Sequence, residues 1–178
     1  MGSTAAAAAF LAYITTRDDP STTSFDATAL RGVTDVRADA AAARLTCAFP
    51  VTQRVVNRNG TLHGGCIATL VDVVGTAALL IRSARGGVSL SINTTYLAPL
   101  PLGATALVDA RLLRLGRTVA VIEVDIRDAA SGELAATGTH VKFISPGEPD
   151  LAAIAAKARP DLKAPPPPAP LPPPRAKL

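Results

Sequence analysis

From residue 66 to 81 the chain is apolar at nearly every position, and the run carries a single charge, the carboxylate of Asp72. A stretch that is apolar on every face predicts a buried helix, here over about 64–82. Downstream the period changes to two. In 87–98, Val88, Leu90 and Ile92 alternate with Ser89, Ser91, Asn93 and Thr95. In 118–129, Ala120, Ile122, Val124 and Ile126 alternate with Val121, Glu123, Asp125 and Arg127. Strands at 104–115 and 118–129 are joined through Leu115-Gly116-Arg117, a hairpin signal, and Ser131-Gly132 turns the chain into a last strand at 133–144. Four consecutive strands with short turns predict an antiparallel meander. A buried helix beside it predicts a sheet wrapped around that helix, an α+β arrangement. Upstream, 5–17 reads as an amphipathic helix stopped by Asp18, Asp19 and Pro20, and 28–37 and 41–51 read as strands around an Ala-rich turn.

Length and composition narrow this picture. A chain of 178 residues suffices for one domain with tails. We divide it into an N-terminal helix and lead-in (1–24), the main domain (25–146) and a Pro-rich tail (147–178). Aromatic residues make up only 3% and Trp is absent, so small aliphatics must fill the core. This argues against base-stacking recognition of nucleic acid. The net charge of +4 is scattered, which suits a small anionic ligand such as a phosphate-bearing cofactor at least as well as DNA. Cys47 and Cys66 have no metal-ligand spacing with each other or with His63 and His140, so they read as small buried hydrophobes in a reducing compartment, and no metal or cofactor is expected. The run at 66–81 is too short for a membrane span and contains Asp72. The N-terminus lacks both the Ser or Thr of a myristoylation signal, having Ala6 there, and the basic region of a secretory leader.

The candidate chemistry lies where a polar loop enters the apolar helix. Residues 57–65 include Asn57, Asn59, Gly60, His63, Gly64 and Gly65. The first turn of a helix has N–H groups without intrahelical partners and the positive end of the dipole. With glycines there, backbone can approach and hold a carbonyl oxygen or an oxyanion. Asp72 is then either paired with an Arg or backbone N–H groups, or used as a general base or nucleophile. Eight residues of helix separate Gly64 from Asp72, roughly 12 Å. One reacting carbonyl cannot lie within about 3 Å of both. Two antiparallel copies of the helix could satisfy it, so the spacing favours a site shared across a two-fold dimer. His63 holds the loop or serves as an acid–base group; no GxSxG elbow accompanies it. Asn57 orients water or substrate, or shapes the loop. Ser89 bonds a water or Asp72, or faces solvent.

The ordered motifs resemble a family. Asn57-Arg58-Asn59-Gly60-Thr61-Leu62-His63-Gly64-Gly65 with Ala68-Thr69-Leu70-Val71-Asp72 resembles the hotdog-fold acyl-CoA thioesterases of the thioesterase superfamily member 2 and phenylacetyl-CoA thioesterase type. The likeness continues through Gly87-Val88-Ser89, Asn93-Thr94-Thr95-Tyr96, Leu115-Gly116-Arg117-Thr118 and Gly138-Thr139-His140, covering about 40–145. The resemblance implies a hotdog fold, a five- to six-stranded antiparallel sheet around the long helix, assembled as a homodimer or homotetramer. It implies hydrolysis of fatty or aryl acyl-CoA. By position, Gly64 would polarise the thioester carbonyl with Gly65 beside it, and Asp72 of the facing subunit would activate water or attack. Ser89 would place that water, and Asn57 would sit near the thioester. On charge and place, Arg117 and Lys142 are candidates for the coenzyme A phosphates. Family members often have Asp two residues after the serine, where this chain has Ser91. The competing readings are a non-catalytic acyl-CoA binder and a hotdog hydratase or dehydratase. The latter's GDxNPxH and HFPG runs are missing here.

The tail is different material. Residues 164–174 hold eight of the fifteen prolines and predict an extended, solvated polyproline spacer. It leads to Arg175-Ala176-Lys177-Leu178, whose last three residues are a conservative variant of the peroxisomal Ser-Lys-Leu address. A peroxisomal import receptor is therefore an expected partner; without it the cytoplasm or mitochondrion is the expected location. Removing residues 176–178 is expected to abolish import of a fluorescently tagged chain into peroxisomes, and an unchanged distribution rejects the address.

Overall fold

In the computed structural model, which describes residues 2–15, 24–158 and 165–167, the chain begins with α1 (Thr4–Thr15) and α2 (Phe25–Ala29). Strands β1 (Thr34–Asp39) and β2 (Arg44–Pro50) follow, then a single 3-10 turn, then α3 (Gly64–Leu79). The second half is β3 (Val88–Tyr96), β4 (Thr105–Leu115), β5 (Val119–Asp128), β6 (Leu134–Phe143) and α4 (Leu151–Ala158). All six strands form one antiparallel sheet in the order β1-β2-β4-β5-β6-β3. This is the hotdog arrangement: the sheet curls around α3 and buries it. Val108, Ala110, Ala120, Ile122, Val124, Ile126 and Ala136, all inaccessible, form the floor beneath the helix.

Three expectations are corrected. The four downstream strands are not a simple meander: β4, β5 and β6 are consecutive neighbours, but β3 pairs with β6 at the far edge. The connection at 97–104 contains Pro99 and Pro101 and cannot make a tight hairpin. It is tied instead to the loop before α3, through Leu62 N–H to Leu100 O and Leu102 N–H to Gly60 O, and so delivers β4 to β2. The strand expected from residue 28 begins at Thr34, because Ser24 caps a short helix by accepting from Ala27 N–H. Nor is α1 amphipathic. Ala6 to Leu11 are all buried, since small side chains let α3, β1 and α4 close on it from several sides.

Smaller differences concern ends and the tail. Helix α3 stops at Leu79, because Ile81 and Arg82 donate back three residues, to Ala78 and Leu79, and tighten the chain out of the helix. Of the expected tail at 147–178, residues 147–158 and 165–167 are described. Leu151–Ala158 form α4, which buries Ala152 and Ala155 and packs against α1 instead of extending into solvent. Pro166 O accepts from Ala38 N–H on the β1 edge at 3.1 Å. The stop at residues 18–20 and the terminal tripeptide lie outside the described residues. Among the described residues no helix is long and apolar enough to cross a membrane.

Helix and sheet approach most closely at two glycines. A Cβ on Gly138 of β6 would lie 2.8 Å from both γ-carbons of Val71, and one on Gly75 of α3 would meet Nδ1 of His140 at 3.4 Å. The fit predicts that Gly138→Ala lowers stability by about 1–3 kcal/mol, the cost of overpacking. Adding Val71→Ala should return part of the loss. Urea unfolding of the single and double variants checks this; an unchanged midpoint for Gly138→Ala would refute the packing.

Candidate active site

Two groups of polar side chains form along α3, one at its start and one at its middle. At the start, His63 is the N-cap, and its Nδ1 accepts from Gly65 N–H at 2.9 Å. That bond uses the Gly65 donor and leaves the Gly64 N–H without a partner among the described residues. Tyr96, the last residue of β3, donates its hydroxyl to Gly64 O at 3.2 Å. Asn57 folds the loop onto itself: its Oδ1 accepts from Asn59 N–H at 2.9 Å, and its Nδ2 donates to Thr61 Oγ1 at 2.9 Å. Asn57, Gly64, Ile67 and Tyr96 line one cleft of ≈ 380 Å³. A free helix-terminal N–H opening into a cleft is suited to a carbonyl oxygen.

The mid-helix group is built from three elements. Asp72 is not buried, contrary to the expectation from its apolar surroundings: its side chain is 41% exposed. Gly64, Gly65, Ala68 and Asp72 are the positions of α3 that keep solvent access, and their spacing puts them on one stripe. Beneath Asp72 the sheet contributes His140 and Lys142 from β6, with Nε2 at 3.7 Å and Nζ at 3.9 Å from Oδ1. Ser89 of β3 completes the group, its Oγ 2.8 Å from His140 Nε2.

Ser89 arrives there through a bulge. Strict alternation would put it on the same face as Ser91, Asn93 and Thr95. In the ladder with β6, Ser89 opposes Lys142 and Ser91 opposes Val141, so Leu90 is an extra residue. Ser89 thereby faces the helix with Lys142, while Ser91, Asn93 and Thr95 line the outer surface with Thr137 and Thr139. The start of β3 is held by Glu148, whose carboxylate accepts from Gly87 N–H at 2.8 Å and Ser145 N–H at 2.6 Å.

His140 is fully buried, and its titration reflects that. Burial first, and then the Lys142 charge, lower its pKa to about 4, against the opposing pull of Asp72. The ring is therefore neutral near pH 7 and can exchange a hydrogen bond with Ser89. Its Nδ1 makes no hydrogen bond of regular geometry, although the helix backbone at Val71 and Asp72 lies beside it. Burial also pushes the Lys142 ammonium below its ordinary value. A second carboxyl, Asp26 of α2, is held above its ordinary value by burial and then by Asp72.

The remaining expected site residues fall elsewhere. Arg117 is exposed in the β4–β5 turn, at the sheet end that also bears Ser89. Lys142, expected to reach coenzyme A phosphates, is only 4% exposed and donates to Thr76 Oγ1 at 2.8 Å, which gives a phosphate no approach in this chain. His140 was not foreseen as a site residue. Its signal was available: Ala136, Gly138, His140 and Lys142 share the period-two face opposite Val124 and Ile122. Two titratable groups on an otherwise inward face mark a site. Cys47 and Cys66 are buried free thiols, with burial raising them to about 12 and about 11. Among the described residues no group of three or more His, Cys, Asp or Glu could hold a metal ion.

A hotdog sheet with a free N–H at its helix start and a carboxylate beside a serine and a neutral histidine is a hydrolytic arrangement. The thioesterase superfamily model matches residues 59–135. Human acyl-coenzyme A thioesterase 13 is 42% identical over 107 residues, 59% of this chain and 76% of that protein. The crystal structure of zebrafish thioesterase superfamily member 2 superposes with a TM-score of 0.68 at 35% identity, covering 76% of this chain and 94% of that one. Mouse thioesterase superfamily member 2 gives 0.62 at 38%, over 65% and 84%. The chain belongs to the thioesterase superfamily and is a thioester hydrolase.

The environment of His140 has a measurable consequence. Its ring protons should titrate near pH 4 by NMR. Between about pH 4 and its ordinary value of 6.5 the folded chain binds fewer protons than the unfolded one, so the unfolding free energy should rise with pH across that window. His140→Gln should flatten the rise; a midpoint near 6.5 in the wild type contradicts the burial argument.

Proposed function

We propose that this protein hydrolyses acyl-CoA thioesters to free acid and coenzyme A, at sites completed by a second subunit. One observation supports the shared site above the rest. The Gly64 cleft and the Asp72 group lie at opposite ends of β3, and β3 is an open sheet edge, exposed along nearly its whole length. Ser89 and Tyr96 are seven residues apart, roughly 20 Å along a strand. If two β3 edges pair antiparallel across a two-fold axis, the Ser89 end of one strand meets the Tyr96 end of the other. Each Asp72 then comes toward the partner's helix start. The edge also presents Val88, Leu90, Tyr96 and Leu97, all more than half exposed, which is costly to leave in water and typical of a strand that acquires a partner. Further pairing of such dimers into tetramers is compatible with the same edge contact.

In this site the Gly64 N–H polarises the thioester carbonyl. Asp72 takes a proton from water, which Ser89 places, or attacks directly, expelling the thiolate and forming an acyl anhydride on its carboxylate that water then cleaves to free acid. Water attack gives a tetrahedral oxyanion held by the N–H; its collapse expels the thiolate of coenzyme A, which takes up the proton. Asn57 keeps the loop in the shape that exposes Gly64, and Arg117 is free to meet a phosphate. The acyl-CoA substrate class is supported by the human relative, an acyl-coenzyme A thioesterase.

Asp72→Asn should lower kcat on a panel of acyl-CoAs by about 10²–10⁴-fold. Gly64→Pro removes the one N–H while keeping a residue favoured at the first helical position, after a His63 already extended (ψ 133), and should cost about 10²–10³-fold. A mixture of the two inactive variants, exchanged into mixed dimers, should recover activity, because one site per mixed dimer then has both groups intact. Recovery that never exceeds the sum of the parents rejects the shared site. Coenzyme A binding without release from any thioester would instead support a binder.

A further inference from the structure

We propose that Lys142 is a positioning residue of the hydrolytic centre: pinned from below by Thr76, its ammonium lies under the Asp72 carboxylate and fixes it against Ser89 and His140. The inference rests on the hydrolase reading above and assigns Lys142 to the reacting end of the substrate, away from the phosphates.

The placement carries the argument. Lys142 stands on the inward face of β6, opposite Ala120 on one side and Ser89 on the other. Its side chain is 5% exposed, and Nζ has one close partner, Thr76 Oγ1 at 2.8 Å. Thr76 in turn donates its hydroxyl to Asp72 O at 2.8 Å, so its oxygen is left to accept from the ammonium. The backbone that carries Asp72 and the cation facing its carboxylate are thus joined through one hydroxyl. Burying an ammonium costs several kcal/mol unless an anion faces it. Two carboxylates act on this one: Asp72 at 3.9 Å, and Glu148, which also secures the start of β3. His140 lies on the same strand two residues away, and the Asp26 carboxyl of α2 is within electrostatic reach of Asp72. Within this set Lys142 is the cation, so it offsets the like charge of Asp26 and Asp72. It also disfavours a proton on His140, leaving the imidazole neutral for Ser89.

A phosphate contact and a positioning role predict different kinetics. Lys142→Met, Lys142→Arg and Thr76→Val are compared with wild type on an acyl-CoA and on the matching acyl-pantetheine, which has no phosphate. Lys142→Met is expected to lower kcat roughly ten- to a hundredfold on both thioesters, the scale of losing the charged hydrogen bond to Thr76 that seats the ammonium, with KM little changed. The acid limb of its kcat profile should move to higher pH, because His140 protonates more readily once the ammonium is gone. Thr76→Val keeps the charge but frees the side chain, and should show a smaller fall in kcat in the same direction; Lys142→Arg should recover part of the loss. If Lys142→Met does not fold, the other two variants decide the matter. A rise in KM confined to acyl-CoA, or a kcat and pH profile matching wild type, overturns the proposal. A wild-type chain inert on both thioesters overturns the hydrolase reading itself.

Discussion

Strand β3 holds to the sheet only through β6, and in that ladder Leu90 has no partner: Ser89 opposes Lys142 while Ser91 opposes Val141. The direction of the serine depends on this offset. Without it, period two would carry Ser89 to the outer face with Asn93 and Thr95. With it, the hydroxyl reaches His140 at 2.8 Å, and Asp72, His140, Lys142 and Ser89 form one group from a helix and two strands. A bulge is tolerated at an edge, where no second neighbour enforces the register. The same edge is what an identical subunit would cover in the proposed dimer, so the element that aims the serine would also supply the surface for that pairing.

The helix is the other half of this geometry. Its packing against the sheet leaves one stripe open, from Gly64 through Ala68 to Asp72. Close approach at Gly75 and Gly138 lowers α3 onto β5 and β6 and brings the His140 ring against the helix backbone. The stripe is long enough to keep the N–H donor and the carboxylate apart within one chain. Both groups are therefore presented, unpaired with each other, on a face that one subunit does not close.

Much of the fold was legible from pattern. The buried helix follows from a run apolar on every face, and the β4–β5 hairpin and the β5–β6 turn from a period of two broken at Gly116 and Gly132. Neighbour relations were less so. Nothing local in 97–104 states that β4 should lie beside β2; that depends on hydrogen bonds from Leu62 and Leu102, contributed across the loop. For α1, reading a helix was correct, but its face was not, because burial on several sides comes from elements distant in sequence. Of the candidate site, Asp72 was visible as a lone charge in an apolar run, the glycines by their place at the helix start, and Ser89 as a hydroxyl on the polar face of its strand. His140 and the role of Lys142 were not, because their meaning comes from lying under Asp72.

The sequence by itself determined that a helix start and a carboxylate stand about 12 Å apart on one rod, and hence that one copy cannot serve one carbonyl with both. Those are consequences of covalent spacing and hold whatever surrounds the helix. Tertiary structure alone decided which partners the carboxylate has, that it is open rather than buried, and which face Ser89 takes. These depend on long-range register, where a single unpaired residue reverses a side chain's direction and no local propensity records it.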